Sequence, residues 1–292
     1  MLGRTRSTSR CRSSAPANPW RTPTSRASTS GYVTNVFGLN RDAFVTVPPY
    51  QKRQGTKMET CLATKTYAPS KLNHMRPYRL FGIEDGRGEE VKFYMPPADG
   101  AGCLTAFESV VLLKLVRVVN PNFLFEFGTF DGRTTRLMLE DLQDNGSGEP
   151  RIYTLDLPDT DGVHFQGDDK KLAEKAILST RKYTRSEKSS LVKQIFQDSM
   201  SLDPSLYENK FEFIFVDANH EYVYVKKDTE NALKMIGGET NCIVWHDYGN
   251  PQFPELTRYL ENLASDIELY HVEGTMLVFH LQGKALGDER AS

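Results

Sequence analysis

Apolar and polar positions fall into blocks whose period changes along the chain. Phe123-Leu124-Phe125-Glu126-Phe127 is almost continuously apolar, the pattern of a strand covered on both faces of a parallel sheet, and a single acid interrupts it. Similar short runs predict strands over 151–155, 191–196, 211–216 and 242–245, then a closing pair over 267–272 and 275–281 joined at Glu273-Gly274. Helical periodicity fills the intervals. Thr105-Ala106-Phe107-Glu108 is a capping-box signature, and Phe107, Val110, Val111, Leu113, Lys114 and Leu115 begin a helix that ends before Pro121. A second helix opens at Arg133-Thr134-Thr135, and a charged one is expected around 170–182. Another has Val225, Ala232, Leu233 and Ile236 on its inner side and closes at Gly237-Gly238, and an amphipathic helix covers 254–263. Strands alternating with helices in this way predict an α/β chain built on a mostly parallel, doubly wound sheet.

The flanks read differently. Residues 1–30 are rich in Arg, Ser and Thr and hold almost nothing that could bury itself, so a disordered leader is expected; its composition also suits an organellar transit peptide. Residues 31–104 mix aromatics with Pro and Gly, as an irregular cap does, with a short strand expected near 78–83. Residues 283–292 read as a frayed tail.

Charge narrows the partners. The chain carries a formal -2, but the first thirty residues hold six arginines and no acid, so the remainder sums to -8. A body of that sign is a poor binder of phosphate backbones, and no nucleic-acid partner is expected. No apolar run reaches the roughly 18 residues of a membrane helix, so no membrane partner is expected either. The four cysteines, Cys11, Cys61, Cys103 and Cys242, have no metal or redox spacing, which fits a reducing compartment such as the cytoplasm. Homo-oligomerisation is left open.

The acid in the first strand is where the chemistry starts. A buried carboxylate costs several kcal/mol without a partner, so Glu126 asks for one. Gly128 and Gly132 bracket the turn that follows, where a missing Cβ lets backbone N–H groups approach a ligand. A dinucleotide fingerprint would need glycines where Phe130 and Arg133 stand, and a P-loop would need a different interval and a lysine. What remains, E-x-G-x-x-x-G at the end of a first strand, resembles the cofactor loop of the class I S-adenosylmethionine-dependent methyltransferases. That resemblance implies Glu126 near the methionine end of the cofactor, with Gly128, Thr129 and Gly132 wrapping beneath it. A tight turn with packing glycines explains the same letters.

Two further acids agree. Asp156 closes the second strand 24 positions after Gly132, near the roughly 20-residue interval at which an acid accepts from ribose hydroxyls. After the third strand, Asp198 and Ser199 stand where the family contacts adenine. The longest correspondence runs from Phe211 to Tyr248: VDANHEYVYVKKDTENAL followed by WHDY resembles the branch that includes antibiotic-tailoring and sugar O-methyltransferases. The resemblance covers 105–281 and implies a Rossmann-like, seven-stranded sheet ending in an antiparallel hairpin, within a cofactor-binding domain over 105–282. Adjacent fourth and fifth strands would bring Asp217, His220, His246 and Asp247 into one crevice at the carboxyl ends. Mg²⁺ held by Asp217 and Asp247 is one expectation. A metal-free site is the other, since His246 and Tyr248 stand where related metal-dependent enzymes place Asn or a second Asp. His220 is the expected general base, assisted by Asp217, with His246 as runner-up. The implied activity is methyl transfer to a hydroxyl of a small molecule or sugar; the alternatives are a catalytically silent cofactor-binding protein and a nicotinamide-dependent Rossmann enzyme.

Overall fold

The computed structural model describes residues 71–81, 102–142, 148–165, 167–284 and 286. The leader at 1–30, most of the cap segment and most of the tail lie outside these residues. In chain order the elements are β1 (Asn73–Met75), α1 (Pro77–Phe81), α2 (Ala106–Val119), β2 (Leu124–Phe127), α3 (Arg133–Asp141), β3 (Ile152–Asp156), α4 (Asp169–Ile177), β4 (Val192–Phe196), β5 (Phe213–Val216), α5 (Tyr222–Met235), β6 (Asn241–Trp245), α6 (Pro254–Leu263), β7 (Tyr270–Val272) and β8 (Val278–Gln282).

The strands form one mixed sheet in the order β1-β7-β8-β6-β5-β2-β3-β4, parallel except for β8, which runs against both β6 and β7. The chain leaves β2 outward through β3 and β4, then returns to place β5 and β6 on the other side. The order therefore reverses between β2 and β5, and ligands of open α/β sheets sit beyond the carboxyl ends at such a point. Alternation divides the core. Phe213, Phe215, Val244 and Phe279 pack with Val111, Leu112 and Leu115 of α2 and Met138 of α3. Ile214, Val216, Ile243 and Trp245 turn to the other face, against Val225 and Met235 of α5 and Leu256 and Leu260 of α6. The capping box forms as read: Thr105 Oγ1 accepts from Glu108 N at 3.2 Å while Glu108 Oε2 accepts from Thr105 N at 2.8 Å.

Four readings change. The sheet has eight strands among the described residues rather than seven, because Asn73–Met75 pairs in parallel with β7. The strand expected near 78–83 is instead a helix over Pro77–Phe81; proline at a first helical position pre-sets φ and lacks only an N–H that would have no partner there. The charged helix spans Asp169–Ile177, shorter than 170–182, and Lys182–Arg185 form a separate 3-10 turn. Leu233 is exposed, because the inner face of α5 runs through Tyr224, Val225, Asp228, Thr229, Ala232 and Met235. Polar residues on that face mislead a hydrophobicity count; Thr229 is buried because its Oγ1 accepts from Trp245 Nε1 at 2.9 Å.

Candidate active site

The glycine turn is shaped first by its protein neighbours. Gly128, at φ 91°, lies so close to β5 that an added Cβ would stand 2.0 Å from the Asp217 carbonyl oxygen; one on Gly132, at φ 72°, would stand 2.8 Å from the Tyr183 ring. Both glycines are thus required by packing at the strand switch, whatever ligand the turn receives. Glu126 lies in a cross-strand row with Thr154 and Gln194. Its Oε2 accepts from Thr135 Oγ1 at 2.5 Å and Thr154 Oγ1 at 2.6 Å, whereas the buried Oε1 has no partner. Burial dominates, the two threonine bonds offset part of it, and the carboxyl is pushed up to about 8. Thr129 turns inward, 2.7 Å from the Thr154 hydroxyl and accepting from Gln194 Nε2 at 2.9 Å, so its side chain is part of the sheet's polar chain.

Asp156 stands at the carboxyl end of β3. Its Oδ1 accepts from Leu157 N at 2.9 Å and its Oδ2 pairs with Arg181 at 2.8 Å. Burial raises it to about 6 although Arg181 pulls it down. Asp198 caps a 3-10 turn through Met200 N. Ser199 is buried with its hydroxyl toward Asp228 of α5, and its carbonyl accepts from Asn231 Nδ2 at 3.3 Å. Ser199 thus faces the protein rather than the cleft.

The tips of β5 and β6 do converge. Asp217 follows β5, and His246 and Asp247 follow β6. His246 Nδ1 lies 3.0 Å from Asp247 Oδ2 and 3.4 Å from Asp217 Oδ1, and His220 Nε2 is 2.9 Å from Asp247 Oδ2 and 3.9 Å from Asp217 Oδ1. Asp247 adopts φ 63°, a left-handed conformation that Asp tolerates better than most residues, and Asn250 Nδ2 donates to its Oδ1 at 2.6 Å. Two acids invisible to the motif complete the cluster. Glu108, the capping residue of α2, places Oε1 3.6 Å from His246 Nε2 while accepting from Met276 N; Asp169, in the first turn of α4, lies 2.7 Å from His220 Nδ1. Glu108 was legible only as a cap, and Asp169 only as one charge among several in GDDKK.

Four carboxylates around two imidazoles decide the protonation. Burial works against the charged rings, but the surrounding acids win and raise both His220 and His246 well above their ordinary value. The same pairing lowers Asp217 and Asp247 despite burial, and bonds to His246, Met276 N and Thr105 N hold Glu108 at about 2. Carboxylates beside both nitrogens of His220 thus favour its charged form, in which the ring offers no lone pair to a hydroxyl proton. With both rings charged, the four acids still leave the cluster at -2, a setting for added positive charge. Asp217, His246 and Asp247 each offer one ligand atom, all within 4.8 Å of one another. Two carboxylates alone suit Mg²⁺ or Mn²⁺, and an imidazole nitrogen moves the preference toward Mn²⁺, Fe²⁺ or Zn²⁺.

Residues 125–248, from β2 through the tip of β6, match the family of methyltransferase domains. Among solved structures the chain is similar to the O-methyltransferase TomG from Streptomyces achromogenes, involved in tomaymycin synthesis, at 19% identity over 62% of this chain and 82% of that one, with a TM-score of 0.43. It is similar to an O-methyltransferase from Bacillus cereus in complex with SAH, at 18% identity over 62% and 82%, TM-score 0.42. It is also similar to cofactor-bound Rv0187 from MTB, at 15% identity over 65% and 84%, TM-score 0.45. No curated protein matches the chain. Among the described residues no helix is long and apolar enough to cross a membrane. The strand order, with the acids at the strand tips, is that of a Rossmann-like α/β sheet, and over residues 125–248 this sheet is similar to methyltransferase domains.

Proposed function

We propose that the protein is an S-adenosylmethionine-dependent methyltransferase that acts on a hydroxyl group of a small molecule or sugar. The observation that carries this reading is the meeting, at the β2/β5 switch, of an unpartnered buried carboxyl oxygen on Glu126 with the acid–imidazole cluster of Asp217, His220, His246 and Asp247. A cationic cofactor suits both features. An ammonium beside Glu126 favours its ionised form, whose Oε1 then accepts from it, and a cluster at -2 favours a sulfonium. Asp156 takes the ribose hydroxyls in this reading by sharing its Oδ2 with Arg181, and Asp198 receives the adenine amino group. When bound, S-adenosylmethionine supplies a methyl group open to in-line displacement.

The chain's own work is to align the acceptor and to manage its proton. Alignment can supply roughly 7–11 kcal/mol of the barrier. His220 becomes a proton acceptor only when positive charge enters the cluster, because the carboxylates that keep its proton are then shared. Asp217 and Asp247 are the residues that would hold a divalent cation, which when bound supplies Lewis acidity toward the acceptor oxygen.

The test is calorimetric titration of the full chain with S-adenosylhomocysteine, with and without Mg²⁺ or Mn²⁺, followed by transfer from labelled S-adenosylmethionine to a panel of phenols and sugars. Saturable binding and labelled product are expected. Binding without transfer to any acceptor favours the silent cofactor-binding alternative, and a melting-temperature rise with nicotinamide dinucleotide alone sinks the proposal.

A further inference from the structure

The segment between β3 and β4 is held over the β5 tip in an unusual way for a helix layer. Of α4 only Ala176 is buried, so apolar packing does little to fix it. Its attachment to the loop after β5 is polar: Asn219 Nδ2 donates to the His164 carbonyl at 2.8 Å, His164 Nδ1 lies 2.7 Å from Glu221 Oε1, and Asp169 Oδ2 lies 2.7 Å from His220 Nδ1. The first two ties are exposed. The third is not, with the His220 and Asp169 side chains 17% and 12% exposed.

That third tie addresses one atom of one ring. A carboxylate at Nδ1 accepts its proton, as the orienting acid does in hydrolase triads, and so turns Nε2 to the opposite side of the ring. The ring plane is fixed independently, since His220 stacks on Phe253 with centroids 4.1 Å apart and planes 10° apart. Stacking fixes the plane but not which nitrogen faces which way; Asp169 supplies that. With Nδ1 occupied, Nε2 faces Asp247 and Asp217.

We propose that Asp169 is a positioning residue for His220: through Nδ1 it holds the ring so that Nε2 is the working nitrogen at the Asp217–Asp247 pair. The proposal rests on the function proposed above only for what Nε2 then does; the orientation itself stands on the geometry. Its consequence is that the loop beginning at Asp156, the expected ribose acid, also sets the proton-handling group.

The chain has six histidines, few enough for side-chain ¹⁵N–¹H correlation spectra of the full-length protein, with His220→Gln assigning the resonances. Wild type is expected to show a proton fixed on Nδ1 of His220, in the absence and presence of S-adenosylhomocysteine. Asp169→Asn, which keeps an acceptor, is expected to retain it, and Asp169→Ala to lose it. Amide hydrogen exchange of α4 is followed in parallel. If Asp169→Ala loosens α4 but leaves the His220 Nδ1 proton in place, Asp169 is an anchor of the helix and the proposal is overturned. If wild type does not bind S-adenosylhomocysteine, the functional reading fails while the spectrum still decides the orientation.

Discussion

Replacing Glu126 by Gln should abolish a specific part of the protein's pH-dependent stability. The carboxyl is wholly buried, is met by two hydroxyl donors on one oxygen and nothing on the other, and sits at about 8 in the folded chain against an ordinary 4.5. Below pH 4.5 folded and unfolded states both hold the proton and the side chain is neutral in each. Between 4.5 and about 8 only the folded state holds it, so stability falls as pH rises, by about 1.4 kcal/mol per pH unit. Over that window the loss is of order 5 kcal/mol, a large share of the roughly 5–15 kcal/mol that holds a domain together. Glutamine mimics the protonated acid and leaves its carbonyl oxygen for Thr135 and Thr154. Urea unfolding of wild type and Glu126→Gln from pH 4.5 to 9 measures the difference. The two should be alike near pH 5 and diverge with rising pH, the variant becoming the more stable by several kcal/mol. Parallel curves would refute the reasoning, since Glu126 would then be ionised and partnered in the fold. The opposite trend is expected for the ligand: S-adenosylhomocysteine carries an ammonium, so its affinity for wild type should rise as pH approaches 8 and the variant should lack that rise.

Other outcomes follow from the same structure. The acids and imidazoles raised above their ordinary values, Asp156, Asp228, His220 and His246, contribute stability that is lost as pH rises through their folded pKa values. Glu108, Asp217 and Asp247, which are lowered, contribute stability that is lost on acidification. Thermal melting should therefore peak at mildly acidic pH, and a maximum above pH 8 would contradict the protonation assigned to the cluster. Removing one partner from a buried ion pair typically costs about 3–5 kcal/mol, so His246→Gln should unfold in urea about that much more easily at pH 7, and Mn²⁺ should restore part of the loss. Mn²⁺ should raise the melting temperature of wild type but not of Asp247→Asn; equal shifts would remove Asp247 from the cation's ligands. Leu233→Lys should stay within about 0.5 kcal/mol of wild type by chemical denaturation, as an exposed position allows, and a loss of 2 kcal/mol or more would mean that α5 is rotated.

The strands could be read because their apolar runs are continuous, and continuity survives any detail of packing. The acids at their ends could be read for a related reason: Glu126, Asp156, Asp217 and Asp247 each break or terminate an apolar run, and a charge in such a place is conspicuous. What could not be read depends on partners far apart in the chain. Glu108 serves a helix cap with one oxygen and the cluster with the other, and nothing local marks the second role. Asp169 is hidden among neighbouring charges until α4 sets it against His220. The sequence shows His220 near one acid, whereas the fold sets it among three, which raises its pKa further. Leu233 and the buried Asp228, Thr229 and Asn231 show the same limit on α5: Val225 and Ala232 face inward as read, but polar residues share that face with them, and Leu233 does not.

The short strand at 73–75 has a practical bearing on how this protein is produced and dissected. The stretch that matches the domain family stops at 248, yet the sheet is completed by β7 and β8 downstream and by β1 upstream. An expression fragment trimmed to the matched boundaries would bare the flank of β6, and one begun at 105 would bare β7. Unpaired flanks of this kind recruit other chains, so such fragments should precipitate or self-associate, whereas a fragment starting just before Leu72 keeps the sheet's own border in place.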